Sequence, residues 1–98
     1  HNQSFTVLNL ANLEGANLTG ARLHCVSAED ASFKHANLTG VDFSNAVLGG
    51  ALLRSANVTD ANFDGVELAT VTMDFANFSA ARNAAGILRS GSLCYLSR

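Results

Sequence analysis

His24, Ser44 and Asp64 are the three side-chain types of a nucleophilic relay, and they stand at intervals of twenty residues. At that spacing they share a face only if the chain returns to the same place every twenty residues. Even then their order is wrong for the chemistry. Acyl transfer needs an imidazole between hydroxyl and carboxylate, one ring nitrogen taking the nucleophile's proton while the acid holds the other. Here Ser44 would sit in the middle, with Asp64 about 9.6 Å from His24, two strand spacings away. The column reads as solvated surface, and no residue is assigned a catalytic role. His24, His35, Glu29 and Asp30 are metal-ligand types, but the two histidines fall on different faces of a twenty-residue repeat. No metal or cofactor site is expected.

What must position these residues is a repeat of five. Fifteen positions from Leu8 to Phe78, one in every five, hold Leu, Phe, Met, Val or Ala without a polar interruption. In a second register, from Ala11 to Ala81, every fifth position holds only Ala or Val, two residues before a site of the first register. An α-helix cannot use this pattern, because five residues advance it by about 500° and successive Leu would visit every side. A flat strand fails as well, since an odd step flips each Leu to the opposite face. A short extended stretch with two inward residues around one outward residue, followed by a two-residue corner, satisfies both registers. Gly15, Gly20, Gly40, Gly50 and Gly65 fall on the last corner position, where an unusual φ is tolerated.

Four pentads close one turn. Ala16-Asn17-Leu18-Thr19, Ala36-Asn37-Leu38-Thr39, Ala56-Asn57-Val58-Thr59 and Ala76-Asn77-Phe78-Ser79 recur at intervals of twenty. Their outward Asn and Thr should stack as ladders one strand spacing apart. The same residues match the N-glycosylation sequon, but four glycans at one strand spacing would collide and the ladder already accounts for both residue types. From Thr6 to Ala81 there is room for a little under four turns, a stack about 18 Å tall. The second turn places Ala28, Phe33, Leu38 and Phe43 in one layer, two rings offsetting the missing Leu.

These A(N/D)LxG-like pentads, most clearly Ala16 to Gly20 and Ala36 to Gly40, resemble the pentapeptide repeat family over about three quarters of the chain. The resemblance implies an all-β fold, a right-handed quadrilateral β-helix, and its handedness rests on the resemblance alone. Members are widespread in bacteria, notably cyanobacteria, and occur in chloroplasts and secreted effectors, most without known chemistry. Ala28 at a central site and the irregular pentads near Val47 and Leu52 depart from the pattern.

Residues 1–98 are expected to form a single repeat domain, with repeats over about 6–81 and a short helical cap or partial extra coil over 82–98. Leu93, Tyr95 and Leu96 would then be apolar cover or an end-to-end dimer contact. The short amino end, opening on His1 without Met, reads as a processing product, a tag remnant or a piece of a longer chain. Cys25 lies in the first turn and Cys94 past the fourth, a gap of roughly 16 Å that exceeds disulfide reach. Two free thiols favour a reducing, cytoplasmic compartment, with a secreted effector as the other reading. No stretch approaches the ~20 apolar residues of a membrane span.

Charge separates the functional readings. With 14% charged residues and a net charge of −2, the chain lacks the basic footprint of a nucleic-acid binder. Quinolone-resistance members of the family resemble DNA and bind DNA gyrase. Duplex DNA carries one charge per ~1.7 Å, so mimicry over this stack needs about ten net negatives. The column Glu14, Lys34, Arg54 and Asp74 mixes signs instead and should form modest surface pairs. The leading expectation is a non-catalytic scaffold that binds a protein partner, with Leu10, Val47, Leu52 and Phe75 as the candidate patch. A DNA mimic, and a repeat domain of a larger effector or regulatory protein, are the alternatives.

Overall fold

The structure, a computed structural model, describes residues 6–82, and in them the chain turns a corner after every three residues of extended backbone. Residues 6–25, 26–45, 46–65 and 66–82 form coils 1 to 4. Face 1 holds 6–8 and its equivalents at intervals of twenty, face 2 holds 11–13, face 3 holds 16–18 and face 4 holds 21–23. Parallel bridges join residues twenty apart, Asn17 to Asn37 to Asn57 to Asn77 among them. Each face is thus a ladder, with bonds such as Leu18 N–H to Asn37 O at 2.8 Å and Asn37 N–H to Ala16 O at 2.9 Å.

Each corner closes by a bond from the first residue of the next pentad, such as Ala21 N–H to Leu18 O at 2.9 Å. With positive φ at the residue before it, 70° at Gly20, that geometry is a type II turn. The glycines singled out above all have positive φ, and so do nine other corner residues, Leu10 and Phe75 included. Local side chains brace some corners: Thr39 donates its hydroxyl to Asn37 Oδ1 at 2.7 Å, and its amide points to the same oxygen at 3.2 Å. Asn17, Asn57 and Asn77 repeat this arrangement.

Both apolar registers point inward. Phe33, Leu38, Phe43, Leu48, Leu53, Val58 and Phe63 are fully buried, with the small register of Ala31, Ala36, Val41 and their successors beside them. Ala28 shares its layer with Phe33 and Phe43, whose rings meet edge to face at 5.7 Å and fill the volume a Leu would have taken. Phe43 then stacks on Phe63 at 5.7 Å, and Phe63 meets Phe78 at 6.0 Å. Leu8, Leu13, Leu18 and Leu23 of coil 1, by contrast, are only half-buried. The cap or extra coil expected over 82–98, with its dimer contact, lies outside the described residues apart from Arg82.

The ladder breaks at one place among the described residues. Val47 and Glu67 form no bridge, although every other outward position from Val7 to Asn62 pairs with the residue twenty further on. The cause is Thr70. It is the one fifth-position residue between Leu10 and Ala80 without positive φ, and a β-branched side chain disfavours that conformation. Its corner still closes, with Val71 N–H to Leu68 O at 3.2 Å. Without the positive φ, however, it is not the type II turn of the other corners, and the peptide between Ala69 and Thr70 is reoriented. Gly50 N–H accordingly bonds to Thr70 Oγ1 at 3.1 Å, where the pattern of the other coils would supply the Ala69 carbonyl.

Candidate interaction surface

Face 2 and its two flanking corners carry the surface features that the regular repeat does not explain. At the corner between faces 2 and 3 the charge column forms the pairs its alternation predicts, Lys34 to Glu14 at 3.5 Å and Arg54 to Asp74 at 3.9 Å. Both are largely solvated, so each contributes little to stability. Phe75 stands at the same corner, 81% exposed, with the Arg54 guanidinium 5.4 Å from its ring centroid. That distance is within cation–π range. A bulky side chain at φ 61° on the surface is held there by the ladder below, not by its own preference.

At the other corner, between faces 1 and 2, the altered turn at Thr70 leaves a cavity of about 120 Å³ between coils 3 and 4. Face 1 lines it with Val47, Leu48 and Glu67, and the corner with Glu29, Ala69 and Thr70. Among the backbone bonds of the described residues, the Leu48 and Glu67 amides make none across this gap.

The four apolar residues singled out from the sequence lie on face 2 or next to it, but they do not behave alike. Leu10, 77% exposed, is at the corner between faces 1 and 2 in coil 1, and Phe75 is at the corner between faces 2 and 3 in coil 4. Leu52 on face 2 and Val47 on the adjoining face 1 are half-buried in coil 3. Coil 1 and coil 3 are about 9.6 Å apart, so the four residues are spread over face 2 and its edges instead of merging into one patch. Sequence reasoning missed Val7, 63% exposed on face 1 of coil 1. It also missed the cavity, whose only advance signal was a β-branched residue at a fifth position.

The polar candidates gather elsewhere. His24 Nδ1 lies 3.3 Å from Ser44 Oγ, and the Ser44 amide donates to Asp42 Oδ1 at 2.9 Å. Ser44 thus lies between His24 and Asp42, while the Asp64 amide bonds Asn62 Oδ1 at 3.0 Å. Burial pushes the Asp42 carboxyl up, but the Ser44 hydroxyl and amide, with the charges of His24 and Arg82, outweigh it and hold the group below its usual value. His24 and His35 belong to opposite corners, and no group of three ligand-type side chains gathers among the described residues. Cys25 corrects an expectation: it is disulfide-bonded. Two free thiols were expected on the premise that the coil continues to Cys94, which lies outside the described residues.

A family model of pentapeptide repeats matches residues 4–34, 11–50, 31–69 and 48–82, in eight copies. The chain belongs to the pentapeptide repeat family. Its square solenoid is therefore the right-handed quadrilateral β-helix of that family, and the all-β reading holds. The pentapeptide repeat protein alr5209 from Nostoc PCC 7120 is 28% identical, with a TM-score of 0.77 over 80% of this chain and 64% of its own. HetL from Nostoc sp. strain PCC 7120, described as involved in heterocyst differentiation regulation, is 28% identical with a TM-score of 0.50, covering 89% of this chain and 42% of its own. AT2G44920, from the thylakoid lumen of Arabidopsis thaliana, is 25% identical with a TM-score of 0.50, over 96% and 76%. The chain thus spans less than two thirds of the first two proteins. No curated protein sequence matches it. Pentapeptide repeat proteins are in general structural repeats and not enzymes, and none of these matches indicates a catalytic family. No helix among the described residues is long and apolar enough to cross a membrane.

Proposed function

We propose that this pentapeptide repeat chain is a rigid, non-catalytic scaffold, acting as a single domain, that binds protein through face 2 and its corners. The observation that carries the reading is Phe75, a large aromatic side chain held almost fully in solvent by a backbone conformation that favours glycine. Aromatic side chains are enriched at protein interfaces relative to the rest of the surface. Arg54 beside the ring adds the second residue type enriched at interfaces. HetL, with its involvement in regulation, is a precedent for a family member whose role is regulatory.

A DNA mimic fits less well. Mimicry needs one continuous negative face, whereas Lys34 and Arg54 interrupt the column from Glu14 to Asp74 and Arg22 stacks directly below Asp42. The disulfide at Cys25 favours an oxidising compartment over the reducing one that free thiols would imply. The test is a pair of substitutions, Leu52→Ser and Phe75→Ser, in one chain. Circular dichroism and melting should be unchanged while specifically retained proteins are lost from affinity capture; retention at the wild-type level would remove face 2 from the account.

A further inference from the structure

The two corners of face 2 are complementary to each other, and this points to what covers them. One corner carries Phe75 beside Arg54, with Lys34 below, the two cations paired along the column with Asp74 and Glu14. The other adjoins the cavity, which face 1 and the corner line with Val47, Glu67, Glu29 and Thr70 among others. A corner cannot reach its neighbour in the same chain, because face 2 lies between them. It can reach the neighbouring corner of another copy. We propose that face 2 is the interface of a homodimer in which each copy places Phe75 against the cavity of the other.

The symmetry follows from the positions. A two-fold axis parallel to the solenoid and lying between two apposed face 2 surfaces exchanges left for right and leaves height unchanged. The corner between faces 2 and 3 of one copy then meets the corner between faces 1 and 2 of the other, twice, as an isologous contact requires. Heights agree at each rung. Phe75 in coil 4 meets the cavity between coils 3 and 4, which has room for one ring. Lys34 in coil 2 meets Glu29 in coil 2. Leu52, at the middle of face 2 in coil 3, meets its own symmetry mate, which accounts for an apolar residue where Asn12, Ser32 and Thr72 occupy the rest of the column.

Lys34 against Glu29 helps fix the register, while the two Leu52 side chains exclude water at the centre. One face four coils tall offers less than the ~1,200 Å² at which standard-sized interfaces begin, so the dimer is a weak one, dependent on concentration. This inference rests on reading face 2 as the binding surface, and its test is separable from that reading.

Sedimentation velocity over a concentration series, at low and high salt, follows the association directly. The sedimentation coefficient should rise with concentration, more steeply at low salt, and Phe75→Ser should abolish the rise without changing circular dichroism. An acidic variant, Lys34→Glu with Arg54→Glu, and a basic variant, Glu29→Lys with Glu67→Lys, should each remain monomeric. Mixed in equal amounts they should associate again, because each introduced glutamate corner then faces an introduced lysine corner. A wild-type chain that stays monomeric throughout, or folded variants that fail to associate on mixing, overturns the homodimer. The capture experiment above still decides separately whether face 2 binds another protein.

Discussion

At the residue scale this fold asks one unusual thing of its sequence, a positive φ at nearly every fifth position. Five glycines meet it freely, but nine other residues meet it as well, among them Phe75, Leu10 and His35. A left-handed conformation costs an L-residue roughly 1–2 kcal/mol. The ladder bonds on either side of each corner offset that cost. The glycines themselves are not equivalent. A Cβ at Gly20 would meet nothing within 4 Å, whereas one at Gly50 would run into the Asp30 carboxylate. Gly20→Ala is therefore expected to lose about 1 kcal/mol, and Gly50→Ala distinctly more, as measured by urea denaturation. Equal losses would mean that Asp30 moves aside at no cost.

At the scale of the element, the corner at Ala69 and Thr70 decides whether coil 4 pairs with coil 3 on face 1. Thr70→Asn supplies a residue that tolerates the left-handed region. It should restore the type II turn, return the Ala69 carbonyl to Gly50 N–H and close the cavity. The Leu48 amide, without a backbone partner across the gap, should exchange rapidly in the wild type and become protected in the variant. Melting should rise by a few degrees. Unchanged exchange at Leu48 would show that something other than the Thr70 backbone holds the gap open. The period of five was legible because burial repeats it in every coil. This break was not, since a single threonine among so many corners leaves the apolar pattern untouched.

At the scale of the whole molecule, stability depends on neighbouring coils filling one another's volume. In a solenoid each repeat contacts only the next, so a void in the middle separates the ends. Phe43, buried between Phe33 and Phe63, occupies that middle. Phe43→Ala is expected to cost ~3–5 kcal/mol, a large part of the ~5–15 kcal/mol that keeps a typical domain folded. A calorimetric melt should show a broadened, lower transition; a sharp transition at the wild-type temperature would mean that the coils close over the void.

The sequence by itself determined the square cross-section, the inward registers, the twenty-residue column spacing and the unsuitability of His24, Ser44 and Asp64 for a relay. Each of these follows from sterics and burial that repeat within five residues or at fixed multiples of five. Only the tertiary structure decided that Phe75 stands clear while Val47 and Leu52 sink to half-burial, that Arg54 lies beside the ring, that coil 4 parts from coil 3 near Thr70 and that Cys25 is bonded. These depend on which side chain happens to sit one coil above or below another. Such contacts join residues about twenty or more apart, where size and shape differ from rung to rung and the periodic pattern carries no information.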